Sequence, residues 1–184
     1  MMNIYLSGMI GSGKTALGTL LARRLGWSFF DLDQEMDKEV SGRGDPASRP
    51  YTFHDLVREQ GWLAFRELEY KICKRFSKMN RSVIALGGGT ARYEWNRDIL
   101  QGTGVRILLL ADLKVLAERV SRQDRPRVNP GTTLEEDLER IWDEHQEQYL
   151  GFADLHYRTD GGKTVFEEVE DLLGKLRQGK WVQE

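Results

Sequence analysis

The stretch Gly8-Met9-Ile10-Gly11-Ser12-Gly13-Lys14-Thr15 decides the fold. It satisfies G-x-x-x-x-G-K-[ST] at every required position. Asn3–Ser7 (NIYLS) precedes it as a short apolar run, read as a strand. After it, Leu17, Leu20, Leu21 and Leu25 recur at helical spacing in Thr15–Leu25, and Gly26 supplies the stop. A glycine loop between strand and helix lets backbone N–H groups wrap a phosphate without interference from Cβ atoms. Lys14 places a cation between β- and γ-phosphates, Thr15 offers a hydroxyl to Mg²⁺, and the helix N-terminus adds a favourable dipole. The plainer reading, a glycine-rich turn with an incidental lysine, leaves the complete motif and its context unexplained. The expected site is for a nucleoside triphosphate, with Gly11, Ser12, Gly13, Lys14, Thr15 and Ala16 as its binding set.

Outward from the loop, strands and helices alternate. Ser28–Asp31 (SFFD), Ser82–Leu86 (SVIAL), Val105–Leu110 (VRILLL) and Leu155–Arg158 read as further strands. Val105–Leu110 is nearly continuously apolar, as a strand buried on both faces is. Helices are expected at Phe53–Met79, Leu113–Val120, Leu134–Tyr149 and Thr164–Arg177. This alternation predicts an α/β fold: three layers, with five parallel strands between helices and ligands beyond the strands' carboxyl ends.

Composition agrees with one globular domain over 1–184. The chain has 27 basic and 29 acidic side chains and a net charge of −2, which excludes a strongly basic surface and bulk electrostatic binding to nucleic acid. The single cysteine, Cys73, excludes an internal disulfide and favours a reducing compartment. No stretch approaches the ~20 apolar residues of a membrane span, and Met1–Ile10 lacks a basic leader region. The expectation is a cytoplasmic monomer acting on a small molecule. The four prolines pair off as Pro46 with Pro50 and Pro126 with Pro130, marking two specially shaped loops in Ser41–Tyr51 and Arg122–Thr133.

Asp31 and Asp33 end the second strand. If the strand continues that far, alternation points both the same way, with Asp31 toward Mg²⁺ through water and Asp33 toward the hydroxyl of an acceptor. The competing role for either is to cap the helix that follows.

These residues carry a resemblance. From Asn3 to about Leu173 the chain resembles the shikimate kinase family: GMIGSGKT, then FFDLD, then Gly61, Phe65, Arg66 and Glu69 in GWLAFRELE. IALGGGT follows at Ile84–Thr90, with Asn96-Arg97, Arg125-Pro126, Tyr149 and Ala153-Asp154 in order. The resemblance implies a P-loop kinase fold with an acceptor-binding segment at about 32–66 and a mobile lid at about 121–133. It implies ATP- and Mg²⁺-dependent phosphorylation of the 3-hydroxyl of shikimate. Lys14, Asp33 and Arg125 are then catalytic, and Thr15 and Asp31 serve the metal. Arg119 and Arg125 join the nucleotide set, while Asp33, Arg66, Gly87, Gly88, Gly89 and the residue at 145 line the acceptor pocket.

Two departures stand out. The family carries an acceptor-binding arginine on the helix after the lid, and His145 stands in its place. A histidine of ordinary pKa is mostly neutral at pH 7 and lacks the bidentate fork. An insertion at about Gly44–Pro50 carries Arg49, with Arg43 just before it, and either cation is a candidate replacement. These departures keep open a kinase for another hydroxylated acceptor, such as a gluconate-like sugar acid or a cyclitol. The remaining alternative, a catalytically silent nucleotide-binding module, would have no use for Lys14, Asp31, Asp33 and Arg125 together.

Overall fold

The computed structural model describes residues 2–43, 49–121 and 131–182. Its five strands are β1 (Asn3–Ser7), β2 (Ser28–Asp31), β3 (Ser82–Ala85), β4 (Gly104–Leu110) and β5 (Leu155–Arg158). They form one sheet in the order β2-β3-β1-β4-β5, and every pairing is parallel. The helices are α1 (Lys14–Leu25), α2 (Leu32–Val40), α3 (Phe53–Phe76), α4 (Glu94–Leu100), α5 (Leu113–Val120), α6 (Leu134–Phe152) and α7 (Val165–Gln178).

The two-residue period of the strands splits the core in two. Ile4, Leu6, Val83, Ile107 and Leu109 point to one face, where they pack with Leu17 and Leu21 of α1 and Leu172 of α7. Tyr5, Ile84 and Leu108 point to the other, against Leu32, Met36, Ile72, Phe76 and Tyr149 of α2, α3 and α6. Burial on both faces is why β1, β3 and β4 read as apolar runs rather than as alternating ones. Helix α1 lies very close to the sheet at Gly18, where an added Cβ would sit 2.7 Å from the Phe29 ring.

Three expectations need correction. Helix α2 begins directly at Leu32, so Asp33 sits in a helix and strand alternation does not orient it. Helix α3 ends at Phe76 rather than Met79, and it is broken at Gly61, whose φ of 81° and ψ of 178° leave the helical region. Helix α4 and a 3-10 turn at Thr90–Arg92 fill a stretch for which no element was expected. The expected lid, and Arg125 with it, falls largely in 122–130, outside the described residues. Among the described residues no helix is long and apolar enough to cross a membrane.

Candidate active site

Because β1 lies between β3 and β4, the loop that follows it occupies the middle of the sheet's carboxyl edge. The loop is built for backbone rather than side chains. At Gly8 an added Cβ would sit 2.5 Å from the Leu109 carbonyl oxygen, and Gly13 caps α1 with φ 92°. Lys14 Nζ donates to the Gly8 and Met9 carbonyls at 2.8 and 2.9 Å, which holds the ammonium across the loop. The loop borders a cleft of about 870 Å³, lined also by Asp31, Asp33, Arg66 and Gly87–Gly89.

Asp31 takes the capping role weighed for it and also meets Thr15. Its Oδ1 accepts the Asp33 backbone N–H at 3.1 Å and so caps α2. Its Oδ2 accepts the Thr15 hydroxyl at 2.7 Å, bringing a carboxylate and a hydroxyl together at the start of α1. Such hard oxygen donors beside a phosphate loop fit Mg²⁺, which keeps much of its coordination for water and phosphate oxygens. Asp33, one residue into α2, reaches the triple-glycine turn: a Cβ at Gly87 would lie 3.3 Å from its Oδ1. The carboxylate therefore stands at the start of the triple-glycine turn, which itself abuts the phosphate loop at Ile10, in the same cleft.

Arg66 is 12% exposed along its side chain and pairs with Glu69 at 2.8 Å. It is thus both ion-paired and part of the cleft wall. Its guanidinium lies 4.2 Å from the ring centre of Tyr93 and 4.6 Å from that of Phe65, favourable cation–π placements. Glu69 is buried and accepts two further bonds, from Thr90 Oγ1 at 2.9 Å and Asn96 Nδ2 at 3.0 Å. One carboxylate therefore fastens α3 to the turn after Gly89 and to α4. The Tyr149 hydroxyl of α6 donates to the Gly88 carbonyl at 2.5 Å, and burial pushes its pKa up to about 12. It stays a phenol donor at neutral pH.

Other expected residues stand differently. Arg119 lines the cleft beside the phosphate loop, where its guanidinium donates to the Gly11 carbonyl at 3.3 Å and the Thr159 carbonyl at 2.7 Å. Ser12 is buried, and its backbone carbonyl accepts the Thr159 hydroxyl at 3.0 Å. His145 does not reach the cleft wall. Burial, and then the nearby Arg92, push its pKa below the ordinary value, so it is neutral at pH 7. Arg49 lines the cleft but holds Asp55 with both guanidinium nitrogens, at 2.7 and 2.5 Å. The replacement-cation role weighed for it therefore competes with a bidentate ion pair. Two further residues of the cleft, Arg92 and Trp62, were not among those expected: Arg92 lies three positions beyond Gly89, and Trp62 forms part of the rim. The available signal for Trp62 is its place directly after Gly61, whose conformation turns the chain there.

A parallel sheet ordered 2-3-1-4-5, a phosphate loop at its centre and a carboxylate lining the same cleft define a P-loop small-molecule kinase. Residues 10–174 match the family model described as shikimate kinase. The chain is 34% identical over 183 residues to a shikimate kinase of Chlorobium luteolum, covering 95% of this chain and 85% of that one. It is 38% identical over 175 residues to a shikimate kinase of Thermosynechococcus vestitus, covering 93% and 89%. A shikimate kinase from Acinetobacter baumannii, solved in complex with shikimate, shares the fold with a TM-score of 0.87 at 24% identity, covering 99% of this chain and 96% of that one. The chain belongs to the shikimate kinase family, whose ATP-dependent reaction phosphorylates shikimate in aromatic amino acid biosynthesis.

Proposed function

We propose that this chain transfers the γ-phosphoryl group of ATP to the 3-hydroxyl of shikimate, with Asp33 orienting the hydroxyl and taking its proton. The observation that carries the assignment is the Asp33 carboxylate beside Gly87, in the same cleft as the phosphate loop. The acceptor oxygen attacks the γ-phosphorus, the bond from that phosphorus to the oxygen of departing ADP breaks, and the hydroxyl proton passes to the carboxylate. Phosphoryl transfer demands alignment and dispersed positive charge more than covalent chemistry, and this chain's own groups supply both.

Gly11–Lys14 cradle the phosphates, and Lys14 bridges the β- and γ-groups. Thr15 and Asp31 would hold Mg²⁺, which would neutralise phosphate charge. Arg119 borders the nucleotide. Arg125, from the segment outside the described residues, meets the transferring group. Arg66 and the Gly87–Gly89 backbone hold the acceptor. The reaction is that of a cytoplasmic enzyme acting as a single chain.

The test is ADP release with Mg-ATP and shikimate, run beside gluconate and a cyclitol. Turnover restricted to shikimate is the expected result, together with a fall in kcat of about 10²- to 10⁴-fold in Asp33→Asn at little cost in KM. Turnover of gluconate or the cyclitol in place of shikimate would overturn the acceptor assignment. An unaltered kcat in Asp33→Asn would remove the carboxylate from the chemistry.

A further inference from the structure

Shikimate is a carboxylate, and a carboxylate entering a closed cleft needs a cation whose charge is not already matched by the protein. Among the described residues the cleft holds six candidates. Arg49 and Arg58 share the Asp55 carboxylate, and Arg66 is matched by Glu69. Lys14 and Arg119 belong to the phosphate loop through its carbonyls.

Arg92 is different. It lines the same cleft, and among the described residues no ion pair or hydrogen bond engages its guanidinium; its Nε is buried without a partner, as is that of Arg66, but Arg66 has a counter-charge in Glu69. Its position is well defined by its surroundings. A methyl group at Gly89 would sit 2.5 Å from Arg92 Nη2 and 3.0 Å from Nε, so the guanidinium rests against the third glycine of the turn. Its charge is felt at the Tyr149 hydroxyl together with that of Arg66, so both cations converge where Tyr149 bonds to Gly88. It is felt as well at His145.

We infer that Arg92 is the anchor for the acceptor's carboxylate, gripping it beside Arg66 while Gly87–Gly89 form the floor and Asp33, beside Gly87, meets the hydroxyl. A neutral His145 and an anchoring Arg92 are two sides of one arrangement: the cation enters from the turn after β3 instead of from α6. A guanidinium without a counter-charge gains a charge-assisted hydrogen bond when a carboxylate arrives, a gain that an already matched arginine has in part spent.

This inference rests on the shikimate reading above, and the experiment separates the two. Binding and turnover of shikimate and of its uncharged methyl ester are measured for wild type, Arg92→Met and Arg92→Lys. Wild type is expected to prefer the acid strongly. Arg92→Met should raise the shikimate KM by about 10- to 100-fold and lose most of that preference, with the ATP KM unchanged. Arg92→Lys, which keeps the charge without the fork, should fall between. If wild type ignores shikimate, the function assignment fails. If wild type uses shikimate but both variants keep its KM and its preference for the acid, Arg92 is not the anchor and this inference alone is overturned. Thermal midpoints distinguish lost binding from lost folding, and Arg92→Lys keeps the question open to test should Arg92→Met not fold.

Discussion

Replacing Glu69 by Gln tests whether the acceptor wall is held by charge or only by shape. The side chain is 1% exposed and receives Arg66 at 2.8 Å, Thr90 at 2.9 Å and Asn96 at 3.0 Å. A glutamine can keep all three contacts: its amide oxygen accepts from Arg66 and Asn96, and its amide nitrogen donates to the Thr90 hydroxyl. What it loses is the negative charge facing Arg66, which is itself only 12% exposed. Stranding a buried charge costs about 3–5 kcal/mol, and the adjoining water-filled cleft places this case near the lower end. For a chain of this size about 3 kcal/mol corresponds to a fall of roughly 6–12 °C in thermal midpoint. Denaturant titration and calorimetry of Glu69→Gln read that change directly. Shikimate should recover more of the midpoint in the variant than in wild type, because its carboxylate replaces part of the lost counter-charge. A fall of under about 2 °C, with equal stabilisation by shikimate in both proteins, would show that Arg66 does not depend on Glu69 for its charge balance.

Gly61→Ala places a Cβ at φ 81° and ψ 178°, a region essentially reserved for glycine, with no neighbour within 4 Å to add a clash. The expected loss is about 1–3 kcal/mol by denaturant titration, accompanied by a higher acceptor KM because Trp62 and Arg66 follow the break. Asp31→Asn keeps the cap on α2 but removes the charge beside Thr15, so stability should change little while half-saturation by Mg²⁺ moves to higher concentration, read in the ADP-release assay. Arg106 holds the Asp154 carboxyl below its ordinary pKa, mainly through its side-chain hydrogen bonds. A depressed folded pKa means that this contribution is present above the unfolded value of about 3.9 and is lost as pH falls through the folded value. Asp154→Asn should therefore flatten the acid limb of the stability curve below about pH 4 without reshaping the neutral range.

Residues whose surroundings repeat along the chain are legible in the amino-acid pattern. The three central strands stand out because both faces are buried, and α1 because its apolar residues share one stripe beside the loop. Helix α2 leaves a weaker trace, because Leu32, Met36 and Val40 are its only buried residues, set among charged ones and starting without a gap after β2. The break at Gly61 is hidden because apolar periodicity runs on either side of it, so no turn signal marks it. Asp31 and Thr15 are legible together because their motifs place both at the carboxyl edge of one sheet, on either side of β3. Arg92 is not, since its importance depends on which carboxylates reach the other arginines. That is set by the approach of α6 to the turn after β3, through Tyr149 and Gly88.

A nearly neutral chain thus builds a receptor for two anions by fixing cations in place rather than by accumulating them. Arg49 with Asp55 ties the segment before α3 to its first turn, Arg66 with Glu69 ties α3 to α4, and Arg119 ties α5 to the phosphate loop. Each of these guanidiniums is already oriented by partners within the fold, so less ordering entropy remains to oppose binding. The same partners also reduce the charge left over for an incoming carboxylate, which limits how tightly such a cation can hold it. Arg92 sits at the other end of that trade: it is steadied by packing against Gly89 rather than by a carboxylate, and it keeps its full charge for the ligand. Specificity for an acidic acceptor over a neutral polyol then falls chiefly on the cation without a counter-charge, and the well-matched arginines act on shape.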